Sequence, residues 1–264
     1  MENELYIRLS TFLILFLLFA LLENYWPRRQ RVYSRLSRWP THWALTAINT
    51  LMLRALSFGL PLLAVGAAID ASQAGLGLFN QLNWPAWIEF TICIFILDLS
   101  IWVQHLITHK VPLLWRLHRV HHADVDMDVT TAIRFHPVEI ALSMLLKIGL
   151  VYLIGPAALA VIIFEVLLNG TAMFNHANIN IPKPIDAVLR KLIVTPDMHR
   201  IHHSKNRLEH DSNYGFALSI WDRIFGTYKE APQDGHEKMN VGLEWQDNRT
   251  TRLRWTLWLP FGHK

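Results

Sequence analysis

Four long runs of apolar residues alternate with polar segments along the chain, and their lengths favour membrane-crossing helices. The first run covers residues 9–22 and, with the apolar residues just before it, reaches the roughly 20 residues that a bilayer requires. The second run, residues 44–68, is interrupted by Arg54 and Pro61, and the third covers residues 87–107. Strand-like alternation is scarce. The pattern therefore predicts an all-α, polytopic membrane protein with about four transmembrane helices or helical hairpins.

The fourth run, residues 138–174, is too long for a single crossing and contains Gly155 followed by Pro156. Proline lacks a backbone N–H and clashes with the preceding helical turn, so the run predicts a helical hairpin or a sharp kink at this point. The first run is interpreted as a retained membrane helix and not a signal peptide. Its leading segment carries Glu2 and Glu4 against Arg8, and no small-residue cleavage site follows it.

Basic residues are distributed unevenly around these runs, which predicts an orientation in the membrane. Residues 66–85 contain no Lys or Arg, whereas five arginines follow the first run, Lys110, Arg116, Arg119 and Arg134 follow the third, and the chain after residue 175 is rich in Lys and Arg. The arginines between the first and second runs are Arg28, Arg29, Arg31, Arg35 and Arg38. The positive-inside rule then places the N-terminus and residues 66–85 outside, and residues 28–38 and 175–264 in the cytosol. The alternative, buried helices of a soluble protein, does not account for this asymmetry.

Composition agrees with a membrane protein of a single domain. The chain has 264 residues, of which 52% are hydrophobic and 17% charged, below the charge content of average soluble domains. Its one cysteine, Cys93, excludes a disulfide-stapled scaffold. A net charge of +4, without long runs of one sign, makes nucleic acid an unexpected partner. We expect one integral membrane domain over residues 1–264, with a motif-free part at 1–90 and a histidine-rich catalytic core at 91–230.

Histidine is unusually frequent, with 14 residues, and most of them come in tight groups. Two groups share the spacing His-x-x-His-His, and a third has two histidines four residues apart. Residues at these spacings lie on one helix face, so their rings can reach a common metal ion. The grouped histidines are His105, His109, His118, His121, His122, His199, His202 and His203. His136 and His176 stand singly between the groups and are further candidate ligands.

These histidines predict a site for two metal ions at the cytosolic membrane boundary. Neutral imidazole is a common ligand of Zn, Fe, Cu and Ni. Eight to ten ring nitrogens exceed the roughly four to six positions of one ion, and suit two ions that hold about four or five each. The thiolates of an iron–sulfur site, the Glu-x-x-His pairs of soluble di-iron bundles and the His-Glu-x-x-His of metalloproteases are all absent from the sequence.

Several polar residues are candidates for support of the ligands. Asp98 lies seven residues before His105, two helical turns away on the same face, within an apolar run where a carboxylate is costly. We expect Asp98, Glu139 and Asn178 to serve catalysis by holding a ligand imidazole through its free N–H. The same role is open to Asp124, Asn175 and Asp197, which also lie close to histidines in the sequence.

The motifs as a set resemble the fatty acid hydroxylase / sterol desaturase superfamily of membrane di-iron oxygenases. The resemblance extends from about residue 97 to 228 and rests on segments in a specific order. They are QHLITH, LHRVHHADVDMDVTTAIRFHPVE, NHANI, DMHRIHHS, NYGF and WDRIFGTY. It implies two iron ions, for which zinc is a possible substitute in purified protein, dioxygen as oxidant, and a lipid substrate such as a fatty acid or sterol. It also implies that the eight grouped histidines, His176 and His136 are the metal ligands.

The sequence leaves the reaction and several partners open. Hydroxylation, desaturation and ether-lipid oxygenation remain alternatives within the family. Electrons are expected from an external carrier of the cytochrome b or ferredoxin type with its reductase, because the sequence has no flavin, nicotinamide or haem-domain motif. A zinc-dependent membrane hydrolase, a divalent-metal transporter and a bis-histidine haem protein are the alternatives outside the family. The expected location is a bacterial inner membrane or the endoplasmic reticulum.

Overall fold

The computed structural model describes residues 4–58, 63–82, 84–245 and 248–262, and these residues form helices without an extended strand. The first eight α-helices are α1 (Glu4–Tyr25), α2 (Arg35–Ser57), α3 (Leu63–Gln73), α4 (Leu78–Gln81), α5 (Ala86–Lys110), α6 (Pro112–His122), α7 (Pro137–Ile154) and α8 (Ala158–His176). The C-terminal part adds α9 (Lys183–Leu189), α10 (Pro196–His202), α11 (Arg207–His210), α12 (Ile220–Ile224), α13 (Gly235–Lys238) and α14 (Leu253–Trp258). Short 3-10 helices cover Val129–Ile133, Asn248–Thr251 and Leu259–Phe261.

Within the described ranges, four helices are long and apolar enough to cross a membrane: the spans are Leu5–Tyr25, Ala86–Lys110, Pro137–Ile154 and Ala158–His176. Between 17% and 39% of each apolar span is buried inside the protein, so most of its side chains are at least partly exposed. Leu17 and Leu153, for example, are 58% and 70% exposed. So much exposed apolar surface suits lipid and not water. The predicted all-α membrane class is confirmed, and the alternative of a soluble core does not fit.

Among the residues that the structure describes, the second apolar run gives no candidate membrane span, although the pattern predicts one. Its first part belongs to α2, which begins at Arg35 and buries Arg38, Thr41, His42 and Asn49 against the rest of the protein. Those polar contacts orient α2 toward the histidine-bearing part of the fold. The run continues in the short helix α3, and Pro61 between them lies outside the described residues. The described part of the chain nevertheless has four candidate spans, because the fourth run supplies two.

The fourth run divides where the glycine and proline predicted a break. Helix α7 ends at Ile154, and Gly155 closes it with a left-handed φ of 62° while donating its N–H to Val151. Helix α8 then begins at Ala158. The turn packs tightly against the segment after α3, because a Cβ added to Gly77 would lie 2.3 Å from the nitrogen of Gly155. Both glycines are therefore required by close backbone approach.

Packing between the helices brings the ends of α5, α6 and α8 together. Helices α1 and α8 share a core of buried residues that includes Phe16, Phe19 and Met173. The small residues of α3 pack against α7 and α8. Helix α6 is covered by the C-terminal segment through a cluster that contains Val120 and Leu259. The histidines consequently lie beneath a helical cap, at the end of the spans away from Gly155.

Replacement of Gly155 by alanine should destabilise the protein. An added Cβ would lie 2.5 Å from the carbonyl oxygen of Leu76, and the left-handed backbone alone costs a residue with a side chain about 1–2 kcal/mol. The matched control is Gly149→Ala within α7, where an added Cβ meets nothing within 4 Å. We expect the control to be neutral or about 0.5–1 kcal/mol more stable. Equal thermal unfolding midpoints for the two variants in detergent would contradict this account.

Candidate metal centre

Two consecutive helices supply the first five histidines. The last turns of α5 carry His105 and His109, and α6 starts two residues after α5 ends, with Pro112 in its first turn. Proline is well suited to that position because its missing N–H would have no helical partner. The sharp junction turns α6 back along α5. His118, His121 and His122 lie on the buried side of α6, and His118 and His122 therefore face the histidines of α5.

The remaining histidines come from the end of α8 and from α10. His176 is the last residue of α8, and α10 carries His199 and His202, with His203 as its C-cap. The start of α10 is set by Thr195, whose side chain accepts a hydrogen bond from the backbone of Met198, and by Pro196. These signals determine the register that turns the three α10 histidines inward.

Nine buried histidines gather in two adjoining groups. In each group every ring offers one nitrogen, and these nitrogens all lie within 4.8 Å of one another. We call the first group site A, formed by His105, His109, His118, His122 and His202. We call the second site B, formed by His121, His176, His199 and His203. The division into five and four matches the number of nitrogens that two ions would each require.

In site A, two lone pairs point at each other. His105 Nδ1 lies 2.6 Å from the carbonyl oxygen of Tyr214, and His118 Nδ1 lies 2.6 Å from Glu139 Oε1. A neutral ring that donates its one N–H there has a lone pair on Nε2. The two Nε2 atoms are 3.1 Å apart. Two nitrogens bound to one ion at about 2.1 Å, at a right angle, are separated by about 3.0 Å. The spacing therefore fits a shared cation.

Site B repeats this arrangement around His176. Its Nδ1 lies 2.7 Å from the carbonyl oxygen of Ala172, one helical turn back. Its Nε2 lies 3.0 Å from His121 Nε2 and 3.1 Å from His199 Nε2. Three nitrogens thus converge at the spacing of ligands around one ion. In site A, His202 is fixed by the same means, since its Nδ1 lies 2.8 Å from the carbonyl oxygen of Ser212.

Burial favours the neutral form of five of these imidazoles. The pKa values of His121, His122, His199, His202 and His203 lie well below the ordinary value, first because burial disfavours the charged ring. Neighbouring imidazoles lower the pKa values further, because a second positive charge nearby is repelled. Neutral imidazole is the form that binds a metal. A metal ion can therefore bind the free nitrogen of these rings without first displacing a proton.

Several ring nitrogens in the two sites have no hydrogen-bond partner within the described part of the chain. In His109, His122 and His203, neither ring nitrogen has such a partner among the described residues. The rings of His122 and His203, one from each site, stack with centroids 4.4 Å apart. A buried polar atom without a partner is costly, and such atoms in a native protein call for an explanation. The residues present therefore fit two metal ions.

Of the residues expected to support the ligands, Glu139 reaches a histidine and two others do not. Glu139 accepts from His118 and so orients its ring. Asp98 instead accepts from the indole N–H of Trp221 at 2.8 Å and from the backbone of Leu218. Asn178 bonds the backbone of Arg29 in both directions. The contacts of Asp98 and Asn178 thus tie distant segments to the core and do not orient a ligand.

His136 lies apart from both sites. Its Nδ1 accepts the backbone N–H of Val138 and so caps α7, and its Nε2 lies 3.3 Å from the carbonyl oxygen of Leu257. With both nitrogens engaged in this way, the structure does not place His136 as a ligand. Asp124, Asn175 and Asp197 likewise bond to other groups, namely Arg38, the backbone of Phe216 and the arginines Arg28 and Arg200.

Two features near the histidines escaped the sequence analysis. His210 and Asp211 form a small group with His109 at the rim of site A, and the ring of His210 stacks on Trp115. The carbonyl oxygens of Tyr214 and Ser212 orient His105 and His202. Backbone acceptors leave no mark in a residue pattern, so the sequence offered no signal for them. The sequence provides only a weak indication for His210, namely that it lies seven residues after the grouped histidine His203.

A buried ion network holds the loop that follows α6. Arg38 makes a two-pronged contact with Asp124, at 2.9 and 2.6 Å, and reaches Asp128 at 2.8 Å. Burial opposes ionisation of Asp124, but the Arg38 charge outweighs it and holds the pKa of that carboxyl below its usual value. Removal of one partner from such a network leaves a buried charge uncompensated. The network therefore connects α2 firmly to the segment beside His121 and His122.

A cavity of about 370 Å³ opens beside site A, where His105 and His118 form part of its wall. Much of the lining is apolar, from Ile101, Ile140, Met144, Leu168 and Phe216. Lys147, about 12 Å along α7 from Glu139, pairs at 2.8 Å with Glu165 of α8, and both line the cavity. Two further residues of the wall, Glu139 and Asn49, each have a buried oxygen, Oε2 and Oδ1, without a hydrogen-bond partner among the described residues.

The nitrogen-rich centre and the apolar helices around it define a multi-pass membrane protein with a histidine metal site. The chain belongs to the fatty acid hydroxylase family, whose model, described as Fatty acid hydroxylase, matches residues 90–227. This match includes all nine histidines of sites A and B.

Three curated relatives illustrate the range of the family. The ornithine lipid hydroxylase OlsE of Rhizobium tropici is 26% identical over 160 residues, which cover 60% of this chain and 47% of the relative. The alkylglycerol monooxygenase of Homo sapiens is 32% identical over 167 residues, 63% of this chain and 35% of the relative. The fatty acid hydroxylase vlmA of Lecanicillium sp is 26% identical over 186 residues, 62% and 49% respectively. The matched part spans half of these relatives or less. No solved structure matches the chain.

Metal content should separate ligands from the capping histidine. Protein purified without oxygen should hold about two irons per chain, and His122→Ala or His203→Ala should lower this to about one, because each removes a nitrogen from one site. His136→Ala is the matched control and should keep both ions. The measurement is metal analysis by mass spectrometry on folded protein. The assignment would be overturned if His136→Ala lost as much metal as His122→Ala.

Proposed function

We propose that the chain is an oxygen-dependent lipid hydroxylase with two iron ions, one in site A and one in site B. The observation that carries this proposal is the apolar cavity that reaches His105 and His118 directly. The reactions named for the relatives, on ornithine lipids, alkylglycerols and fatty acids, support the substrate class. When bound, the iron ions supply the activation of dioxygen that oxidation of an unactivated C–H bond requires, which no side chain supplies.

The protein's own residues provide position and exclusion of water. The apolar lining of the cavity accepts a hydrocarbon chain from the bilayer and keeps water from the reacting carbon. Glu139 Oε2 and Asn49 Oδ1 are unpaired acceptors in the cavity wall, so they suit a hydroxyl or amide N–H of the lipid close to the oxidised carbon. Glu139 Oε1 meanwhile accepts a hydrogen bond from the Nδ1–H of His118. This leaves Nε2 of His118 available as a ligand.

Electron balance requires a partner. Conversion of a C–H bond and dioxygen into an alcohol and water consumes two electrons and two protons beyond those of the substrate. We propose an external carrier of the cytochrome b or ferredoxin type, with its reductase, as their source. Desaturation has the same electron demand and differs in the loss of a second substrate hydrogen.

Isotope labelling tests the proposal. Membranes that contain the protein, supplied with ¹⁸O₂ and an electron donor, should yield a lipid whose mass is increased by one oxygen-18 atom. Incorporation from labelled water alone would instead indicate a hydrolase. Loss of two hydrogens without oxygen gain would indicate desaturation.

A cavity variant gives the matched control for this experiment. Ser143 lines the cavity on α7, and Ser143→Phe should block the chain and lower turnover by at least about tenfold with both irons retained. Leu146→Phe adds bulk on the lipid-exposed face of the same helix, where Leu146 is 52% exposed, and should leave turnover unchanged. Equal turnover in the two variants would mean that the substrate does not use this cavity.

The orientation is also a proposal: the metal sites face the cytosol of a bacterial inner membrane or of the endoplasmic reticulum. Arg38, from the arginine-rich segment, contacts the loop beside His122, so this segment and the sites share one side. Gly77 packs on Gly155, at the opposite end of α7. Positive residues favour the cytosolic side.

Cysteine labelling checks this orientation. An impermeant maleimide applied from outside should modify a cysteine that replaces Gln73, and should not modify a cysteine that replaces Ser37 or Gln233. All three positions are exposed, whereas the native Cys93 is buried and should not react. External labelling at position 37 would reverse the topology.

A further inference from the structure

A second pocket, of about 270 Å³, lies outside sites A and B and outside the apolar cavity. It forms where the segment after α1 meets the loop after α6, helix α10 and residues 240–241. Its wall includes Arg29, Tyr33, Asp126, Arg200 and Lys205. Its wall carries three cationic side chains against one carboxylate, whereas the charged side chains of the cavity beside site A include as many carboxylates as cations. The pocket therefore has the wrong polarity for a hydrocarbon chain.

The cations of this pocket are incompletely paired. Arg200 is 1% exposed, and its Nη1 bonds Asp197 while its buried Nη2 has no partner in the described part of the chain. The side chains of Arg29 and Lys205 make no hydrogen bond or ion pair with any described residue. Asp126, whose two carboxylate oxygens accept the backbone N–H groups of Val32 and Tyr33 at 2.8 and 2.6 Å, supplies one negative charge against the three cations of the pocket wall and offsets them only in part.

This arrangement is unfavourable without a counter-ion. Like charges repel strongly where water is limited, and a buried donor without an acceptor loses its hydration without compensation. Arg200 is nevertheless held in place by its hydrogen bond to Asp197. Residues 32–33 are likewise held against the pocket by their backbone hydrogen bonds to Asp126. Guanidinium donors beside a lysine point charge are the usual combination for binding phosphate oxygens.

The pocket wall includes residues that follow the first candidate membrane span, Leu5–Tyr25, closely in the chain. Tyr25 ends this span and Trp26 follows it; they are 72% and 62% exposed and are the residue types that mark a membrane–water boundary. Arg29 follows three residues later. We propose that this pocket binds a phosphate group, carried by a phospholipid headgroup or by a free phosphorylated compound. The site is separate from the oxygenation chemistry and does not depend on it.

Titration of the detergent-purified, metal-loaded full chain tests the proposal. The probes are inorganic phosphate and a short-chain, water-soluble phosphatidic acid, and sodium chloride at equal ionic strength corrects for screening. Binding is followed by the thermal unfolding midpoint and by phosphorus-31 line broadening. We expect saturable binding of at least one probe. Binding of the lipid alone assigns the headgroup as source, and binding of phosphate alone assigns a free compound.

Charge-matched variants make the result specific. Arg29→Gln with Lys205→Gln should weaken phosphate binding by at least about tenfold, because each removes a charge-assisted contact. Lys183→Gln with Arg254→Gln removes the same charge from exposed positions outside the pocket and should leave binding unchanged. Lys205→Gln alone serves if the double variant fails to fold. The proposal is overturned if neither probe binds, or if the control variant loses as much affinity as the pocket variant.

Discussion

The whole structure depends on holding nine imidazoles close together in one buried volume. In site A the Nε2 atoms of His105 and His118 are 3.1 Å apart while each Nδ1 faces an oxygen, so neutral rings direct two lone pairs at each other and a cation between them would remove the repulsion. Burial prevents protonation from relieving the repulsion, as the lowered pKa values of the α6 and α10 histidines show. Metal binding and folding of this part of the chain are therefore coupled.

The remainder of the fold supplies the rigidity that such a cluster requires. Carbonyl oxygens and Glu139 determine which nitrogen of His105, His118 and His202 faces inward. Arg38 ties α2 to the loop after α6, and the spans leave an apolar cavity against site A. A centre that is rigid, dry on one side and open to a hydrocarbon-lined space is suited to position one carbon of a lipid. The proposed phosphate pocket would add a polar recognition site beside α10.

Local spacing made part of this architecture predictable. The spacings His-x-x-His-His and His-x-x-x-His depend only on helix geometry, and the break at Gly155 depends on backbone chemistry, so both could be inferred from the sequence. Contacts across the chain could not. Asp98 bonds Trp221, 123 positions away, although its helical spacing from His105 suggested a ligand contact. His136 precedes a proline at a helix start, which is a pattern typical of a helix cap. Because His136 lies between groups of histidines, the sequence pattern indicates a ligand instead. The buried polar residues of α2 are explained by contacts with residues distant in the chain, such as those of Arg38 with Asp124 and Asp128.

X-ray absorption at the iron edge, on protein loaded with iron without oxygen, tests the central claim most directly. We expect a nitrogen shell at about 2.0–2.2 Å, with imidazole scattering from an average of about four to five rings per iron and no sulfur shell. X-ray absorption reports the ligands of the iron directly and does not depend on turnover. A spectrum dominated by oxygen ligands, or one that fits only one or two imidazoles per iron, would contradict the claim that sites A and B each hold a metal ion through histidine alone.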